Sequence, residues 1–152
     1  MDILKKANIY HNEASRKRPI FIGVFLTPEG RNDLMTWWKG VIQLPFLEKV
    51  YANQLITQTH PTMQQAEQIQ EGQSVALRIT GWVATMQGQI VTAEPMVSIP
   101  FAHYSGPYPY ITISTSSGVP RVALDRLSTG GLHQVPGPII QGQLGVKWSP
   151  GF

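Results

Sequence analysis

The sequence predicts an α+β fold of two comparable lobes around a cleft, and three observations lead there. Strand-like and helix-like segments alternate in two halves, roughly residues 19–70 and 75–148. The run from Pro19 to Thr27 (PIFIGVFLT) is apolar on both faces, as suits a strand with neighbours on either side. Gln73–Met86 runs through Gln87-Gly88 into Gln89–Ala93, the pattern of a β-hairpin.

Residues 1–18 have little periodicity and form a basic arm ending in Arg16-Lys17-Arg18 before Pro19. The proline disfavours helix at the residue before it, so the arm joins the single domain of residues 19–152 by an extended step. Within the first strand, Gly23 marks a place where a neighbour can approach closely. Thr27-Pro28-Glu29-Gly30 is a turn and helix entry, and Leu34, Trp37, Trp38 and Val41 at helical spacing predict a helix over Arg31–Val41. Leu44-Pro45 interrupts it, and Phe46–Tyr51 is expected as another short helical turn.

Ala52–Thr59 alternates as a strand that His60-Pro61 ends, and the glutamine-rich Thr62–Gln70 is helix or loop. After the hairpin, Met96–Ala102 is expected to continue the sheet, and His103–Pro109 forms a loop. Tyr110–Thr115 is a strand of β-branched residues, and Val119-Pro120 opens a short helix through Leu127 that Gly130-Gly131 stops. Ile139–Trp148 is the last strand, with Trp82 and Trp148 assigned to the core. Trp37 and Trp38 cannot both point inward from one helix.

A length of 152 residues suits one domain that buries its core without staples. The chain has no cysteine, which excludes disulfides, thiolate metal ligands and cysteine nucleophiles. No apolar run reaches the roughly 20 residues of a membrane span, and the N-terminus lacks a signal-peptide core. The expected setting is therefore intracellular, either cytoplasmic or within a larger assembly.

Charge is scarce and unevenly placed. Charged residues make up 14% of the chain, below the roughly 25% that is usual, and 13 glutamines supply part of the polar surface. The arm holds Lys5, Lys6, Arg16, Lys17 and Arg18 against Asp2 and Glu13. With 12 basic and 9 acidic residues in all, seven of each remain in the body, so the whole net charge of +3 belongs to the arm. Arg16, Lys17 and Arg18 are either phosphate contacts or a solvated tether.

Most chemical motifs are missing: there is no phosphate-binding Walker loop, dinucleotide glycine fingerprint, His-Glu-x-x-His or Gly-x-Ser-x-Gly. The body carboxylates are scattered, and His11, His60, His103 and His133 lie far apart, so neither a metal site nor a cofactor is expected. Two strands stand out, Gln54–Thr57 and Tyr110–Thr115, each ending in a polar β-branched residue. The second leads into SSGVPRVALDRL.

Together with FIGVFLTPEGRNDLMTWW, GQSVALRITGW and the closing IIQGQLGVKW, these segments resemble the two-histidine (2H) phosphoesterase superfamily. Tyr110–Leu127 is most similar to the cyclic phosphodiesterase domains of fungal and plant tRNA ligases. The resemblance covers Pro19–Trp148 and implies two antiparallel sheets around a central cleft with flanking helices. It also implies one His-x-Thr/Ser motif per lobe, with imidazoles moving protons and hydroxyls holding phosphate.

At those positions the chain has Gln54 and Ile56 in the first motif, and Tyr110 and Thr112 in the second. Glutamine exchanges no proton at neutral pH, and a tyrosine hydroxyl with an ordinary pKa of about 10 is a poor shuttle there. The resemblance thus implies a catalytically degenerate domain, a binding or assembly module working through its low-charge surface and its basic arm. A protein partner, a second copy, or nucleic acid at the arm would be its ligand.

The alternative is a phosphodiesterase or nucleotide-binding protein acting on RNA 2′,3′-cyclic phosphate ends or cyclic oligonucleotides. Thr57, Thr112 and Ser114 would then hold phosphate, with His60 or His103 as substitute acid–base groups. His60-Pro61-Thr62 matches His-x-Thr as a string, although proline there ends the strand. Tyr104, Tyr108 and Tyr110 either stack a base or cover the sheet edge.

Overall fold

The computed structural model describes residues 17–104, 108–117 and 131–150. The helix expected over Val119–Leu127, the arm through Arg16, and His11 lie outside the described residues. The chain order is β1 (Pro19–Leu26), α1 (Pro28–Trp37), β2 (Lys49–Val50), β3 (Gln54–Thr59), α2 (Met63–Glu67), β4 (Ser74–Ala84), β5 (Gly88–Pro95), β6 (Tyr110–Thr115), β7 (His133–Gln134) and β8 (Ile139–Trp148).

The strands form one closed six-stranded antiparallel barrel in the order β6-β3-β1-β8-β4-β5, with β6 returning to β5. Two short strands lie outside it, β2 on β6 and β7 on β4. This corrects the two-lobed α+β expectation, with its two sheets, central cleft and flanking helices. β8, from the second half of the chain, pairs with both β1 and β4, while β6 pairs with both β3 and β5. Strands of the two halves therefore share one wall. Closure leaves no free barrel edge, which is the usual way antiparallel sheets dispose of unpaired backbone groups.

Local differences follow from tertiary pairing. Phe46–Tyr51 contains no helical turn; instead Lys49 and Val50 pair with Thr115 and Ser114. Met96–Ala102 does not extend the sheet, although the chain touches it again where His103 bridges Gln58. Its anchors there are Met96 N–H donating to Ala76 O at 2.9 Å and His103 N–H donating to Thr57 O at 2.6 Å.

The interior is lined by Ile22 and Val24 of β1, Leu55 of β3, Val75, Leu77 and Ile79 of β4, Val91 and Ala93 of β5, Ile111 and Ile113 of β6, and Ile140, Leu144 and Val146 of β8. α1 begins at an N-cap, Thr27, whose side chain accepts the Gly30 N–H at 3.0 Å. The helix then widens over Trp38–Ile42, where Gln43 N–H donates to Trp38 O at 2.8 Å, and ends with Gln43 at φ 63°. Trp38 is fully buried, its indole N–H donates to Leu44 O at 2.9 Å, and its ring meets Trp82 edge-on at 6.0 Å. α2 opens with a reciprocal capping box between Thr62 and Gln65 and delivers Ala66 and Ile69 to the core. Among the described residues, no helix is long and apolar enough to cross a membrane.

Candidate functional site

The pairing of Leu55 with Ile111 makes β3 and β6 neighbours. Both residues face the core, so alternation places Gln54, Ile56, Tyr110 and Thr112 on the outward face of this strand pair. The structure thus gathers the four positions that the resemblance singles out on adjacent strands of one wall, not across a gap between lobes. Gln54, Ile56 and Tyr110 are partly exposed, whereas Thr112 is buried.

The remaining expected contacts separate. Thr57 is fully buried on the interior side, and its hydroxyl donates to Ile22 O at 3.1 Å. Ser114 is fully buried on the outer side, donating to Gln89 Oε1 at 2.6 Å and accepting the Leu47 N–H at 3.0 Å. Gln89 Nε2 in turn donates to Pro45 O at 2.8 Å, so both side chains fasten the 43–48 strap over β5 and β6. These hydroxyls are committed to holding the wall together. His60 is exposed at φ 51° just beyond β3, and His103 is exposed at its bridge to Gln58. His133 stacks on Trp82 at 4.2 Å, on the β7–β4 side.

Tyr108 is exposed, and burial raises the Tyr104 hydroxyl above its ordinary value by disfavouring the phenolate. Among the described residues, no group of three His, Asp or Glu is placed to hold a metal ion. Lys17 and Arg18 are exposed where the arm enters the barrel. Arg18 is fixed there through its backbone, its N–H donating to Ser149 Oγ at 3.1 Å and its carbonyl accepting the Ser149 N–H at 2.8 Å.

A further set of residues completes this side of the molecule. β1 turns Ile22 and Val24 inward, so Phe21, Gly23 and Phe25 face outward, and neither phenylalanine belongs to a core cluster. Register builds three rows across β3, β1 and β8. Phe25 stands between Gln54 and Gln143, Gly23 between Ile56 and Gly145, and Phe21 between Thr59 and Lys147. The two rings are near-parallel, with centroids 5.8 Å apart and planes 25° apart.

The glycines make this geometry possible. A Cβ on Gly145 would sit 3.0 Å from two carbons of the Phe25 ring, and one on Gly23 would sit 3.4 Å from Phe21 and 2.6 Å from Leu55 O. Ring atoms of Phe25 thus pack over Gly145 and those of Phe21 over Gly23, while the two rings stack on each other.

β1 and β3 carry no charged residue, and β8 carries only Lys147. Glu71 reaches the edge of the face, where its Oε1 accepts the Val146 N–H at 3.1 Å. Sequence reasoning reached Gln54 and Ile56 but not Phe21, Phe25, Gly145 or Lys147. The available signal was Phe-x-Gly-x-Phe in a strand, a glycine flanked at i±2 by aromatics on its own face. No protein-family profile matches the chain, and no curated protein or solved structure matches it.

Proposed function

We propose that the chain is a binding or assembly module that works without catalysis, engaging its partner through the low-charge outer face of β3, β1 and β8 next to the basic arm. The observation that carries this reading is the pair Phe21 and Phe25, held outside both core clusters on a face whose register neighbours are glycine, glutamine, isoleucine, threonine and a single lysine. Large apolar side chains left partly open on a wall with few charges are the composition of a contact surface. The commitment of Thr57 and Ser114 to internal hydrogen bonds supports binding over phosphoryl chemistry.

Two measurements test the reading together. The full chain is incubated with 2′,3′-cyclic phosphate and cyclic oligonucleotide substrates, and no turnover is expected. Turnover abolished by His60→Ala or His103→Ala overturns the non-catalytic reading. In parallel, a panel of single-stranded and duplex oligonucleotides, neutral oligosaccharides and the protein itself is screened for binding. At least one class should bind in a way that Phe25→Leu weakens, whereas a panel without any Phe25-dependent member overturns the assignment of the face.

A further inference from the structure

Building on that reading, we infer that the partner of this face is single-stranded nucleic acid, its bases stacked on Phe21 and Phe25 and its phosphates drawn to Lys147, Lys17 and Arg18. Three features of the face converge on that chemistry.

The first is a two-ring platform. Phe21 and Phe25 stack near-parallel at 5.8 Å beside Gly23 and Gly145, both half-buried, so a base would extend an aromatic stack that already exists. Aromatic faces of this kind accept any base, and stacking is worth about 1–3 kcal/mol per base. The second is the position of positive charge. Lys147 is the register partner of Phe21 and lies exposed on the same face. Lys17 and Arg18 are exposed at the same end, where two hydrogen bonds of its backbone to Ser149 hold Arg18 beside the end of β8. Cations at one end of an aromatic platform suit a ligand that is both flat and anionic.

The third is the polar fringe. Gln54 and Gln143 flank Phe25, offering amide donors and acceptors to base edges without imposing a charge. Glu71 is the opposing group, its carboxylate at the Gly145 edge partly occupied by the Val146 N–H. A neutral oligosaccharide would use the rings and glutamines but leave the three cations idle. A second copy of the chain would use the rings and bring the same cations to its own interface.

The test is fluorescence anisotropy of the full chain with labelled oligo-dT and oligo-U of about 12 nucleotides, within the site sizes usual for such surfaces. Binding should weaken with added salt. Phe21→Leu and Phe25→Leu, which keep apolar cover over the glycines, should each weaken it about tenfold. Lys147→Gln should lower the salt slope by about 0.7, and Glu71→Gln should tighten binding at low salt. Lys39→Gln, in the Trp38–Ile42 turn outside β1, β3 and β8 and set over the Phe46 ring, should leave affinity unchanged.

Unchanged melting temperature of the leucine variants establishes that the barrel is intact. Binding that survives both leucine substitutions places the strand elsewhere and overturns the inference. So does Phe25-dependent binding of an oligosaccharide or Phe25-dependent self-association, although either leaves the module reading standing. Only when no member of the panel depends on Phe25 do both fall.

Discussion

On the β5–β6 side of the barrel both faces of the strands are buried, whereas on the β1–β8 side the outward face stays partly open. The backbone geometry is the same; what differs is the use of outward side chains. Ser114 and Gln89 fasten a strap by a chain of hydrogen bonds from Pro45 and Leu47. Phe21 and Phe25 instead stack on each other beside Gly23 and Gly145. Among the described residues, the strap closes the first face and the second stays partly open. A buried polar group needs its partner within the fold, whereas a half-buried aromatic carries no such requirement.

The sharpest way to break this comparison is at the glycines. Gly23→Ala drives a methyl to 2.6 Å from the Leu55 carbonyl oxygen, a backbone atom tied into the β1–β3 ladder, and should cost about 3 kcal/mol in urea denaturation. Gly145→Ala meets only the Phe25 ring, which can lift, and should cost about 1 kcal/mol. Equal losses at the two sites would mean that the Phe25 ring is as immovable as backbone, contrary to an open face.

On the covered face, Ser114→Ala removes a donor to Gln89 and an acceptor for the Leu47 N–H, for an expected loss of about 2 kcal/mol. A loss below about 0.5 kcal/mol would show that the strap is held by other contacts.

Thr115 should respond in the opposite direction. Among the described residues, its Oγ1 is buried without a hydrogen-bond partner. Thr115→Val keeps the shape and removes the stranded hydroxyl, so stability should rise by up to about 1 kcal/mol. A fall would reveal an interaction of the hydroxyl.

The smallest effect concerns pH. Burial raises the Tyr104 hydroxyl in the folded state, so its contribution is fully present below the ordinary tyrosine value of about 10 and is lost as pH rises through the folded value. Tyr104→Phe should flatten part of the alkaline loss of stability, followed by melting temperature against pH. An identical alkaline profile in the variant would remove Tyr104 as its source.

Much of the secondary structure was legible because it depends on neighbours in sequence. The alternation in Ser74–Ala84 and the Gln87-Gly88 turn were enough for the β4–β5 hairpin, and PIFIGVFL for β1. Lys49–Val50 carries no strand signal because two residues hold no period, and only pairing with Thr115 and Ser114 makes them a strand. Of the candidate face, the sequence singles out Gln54 and Ile56, and the pairing of β1 with β8 adds the rest. Gln54, Ile56, Tyr110 and Thr112 were picked out in sequence, and the fold does gather them. The reason for choosing them, two motifs facing each other from separate lobes, does not survive closure of the barrel.

The sequence by itself determined the partition of charge, a neutral body behind a basic arm, and the strand periods that set which residues point to opposite faces. Those properties are local: composition is additive, and side-chain alternation follows from the backbone alone. Only the tertiary structure decided that the strands close into one barrel and which outward faces the chain covers. Phe21 and Lys147 are 126 residues apart, and their meeting depends on the pairing of β1 with β8. No local pattern encodes that partner, because a period of two fits any register that keeps the apolar face inward.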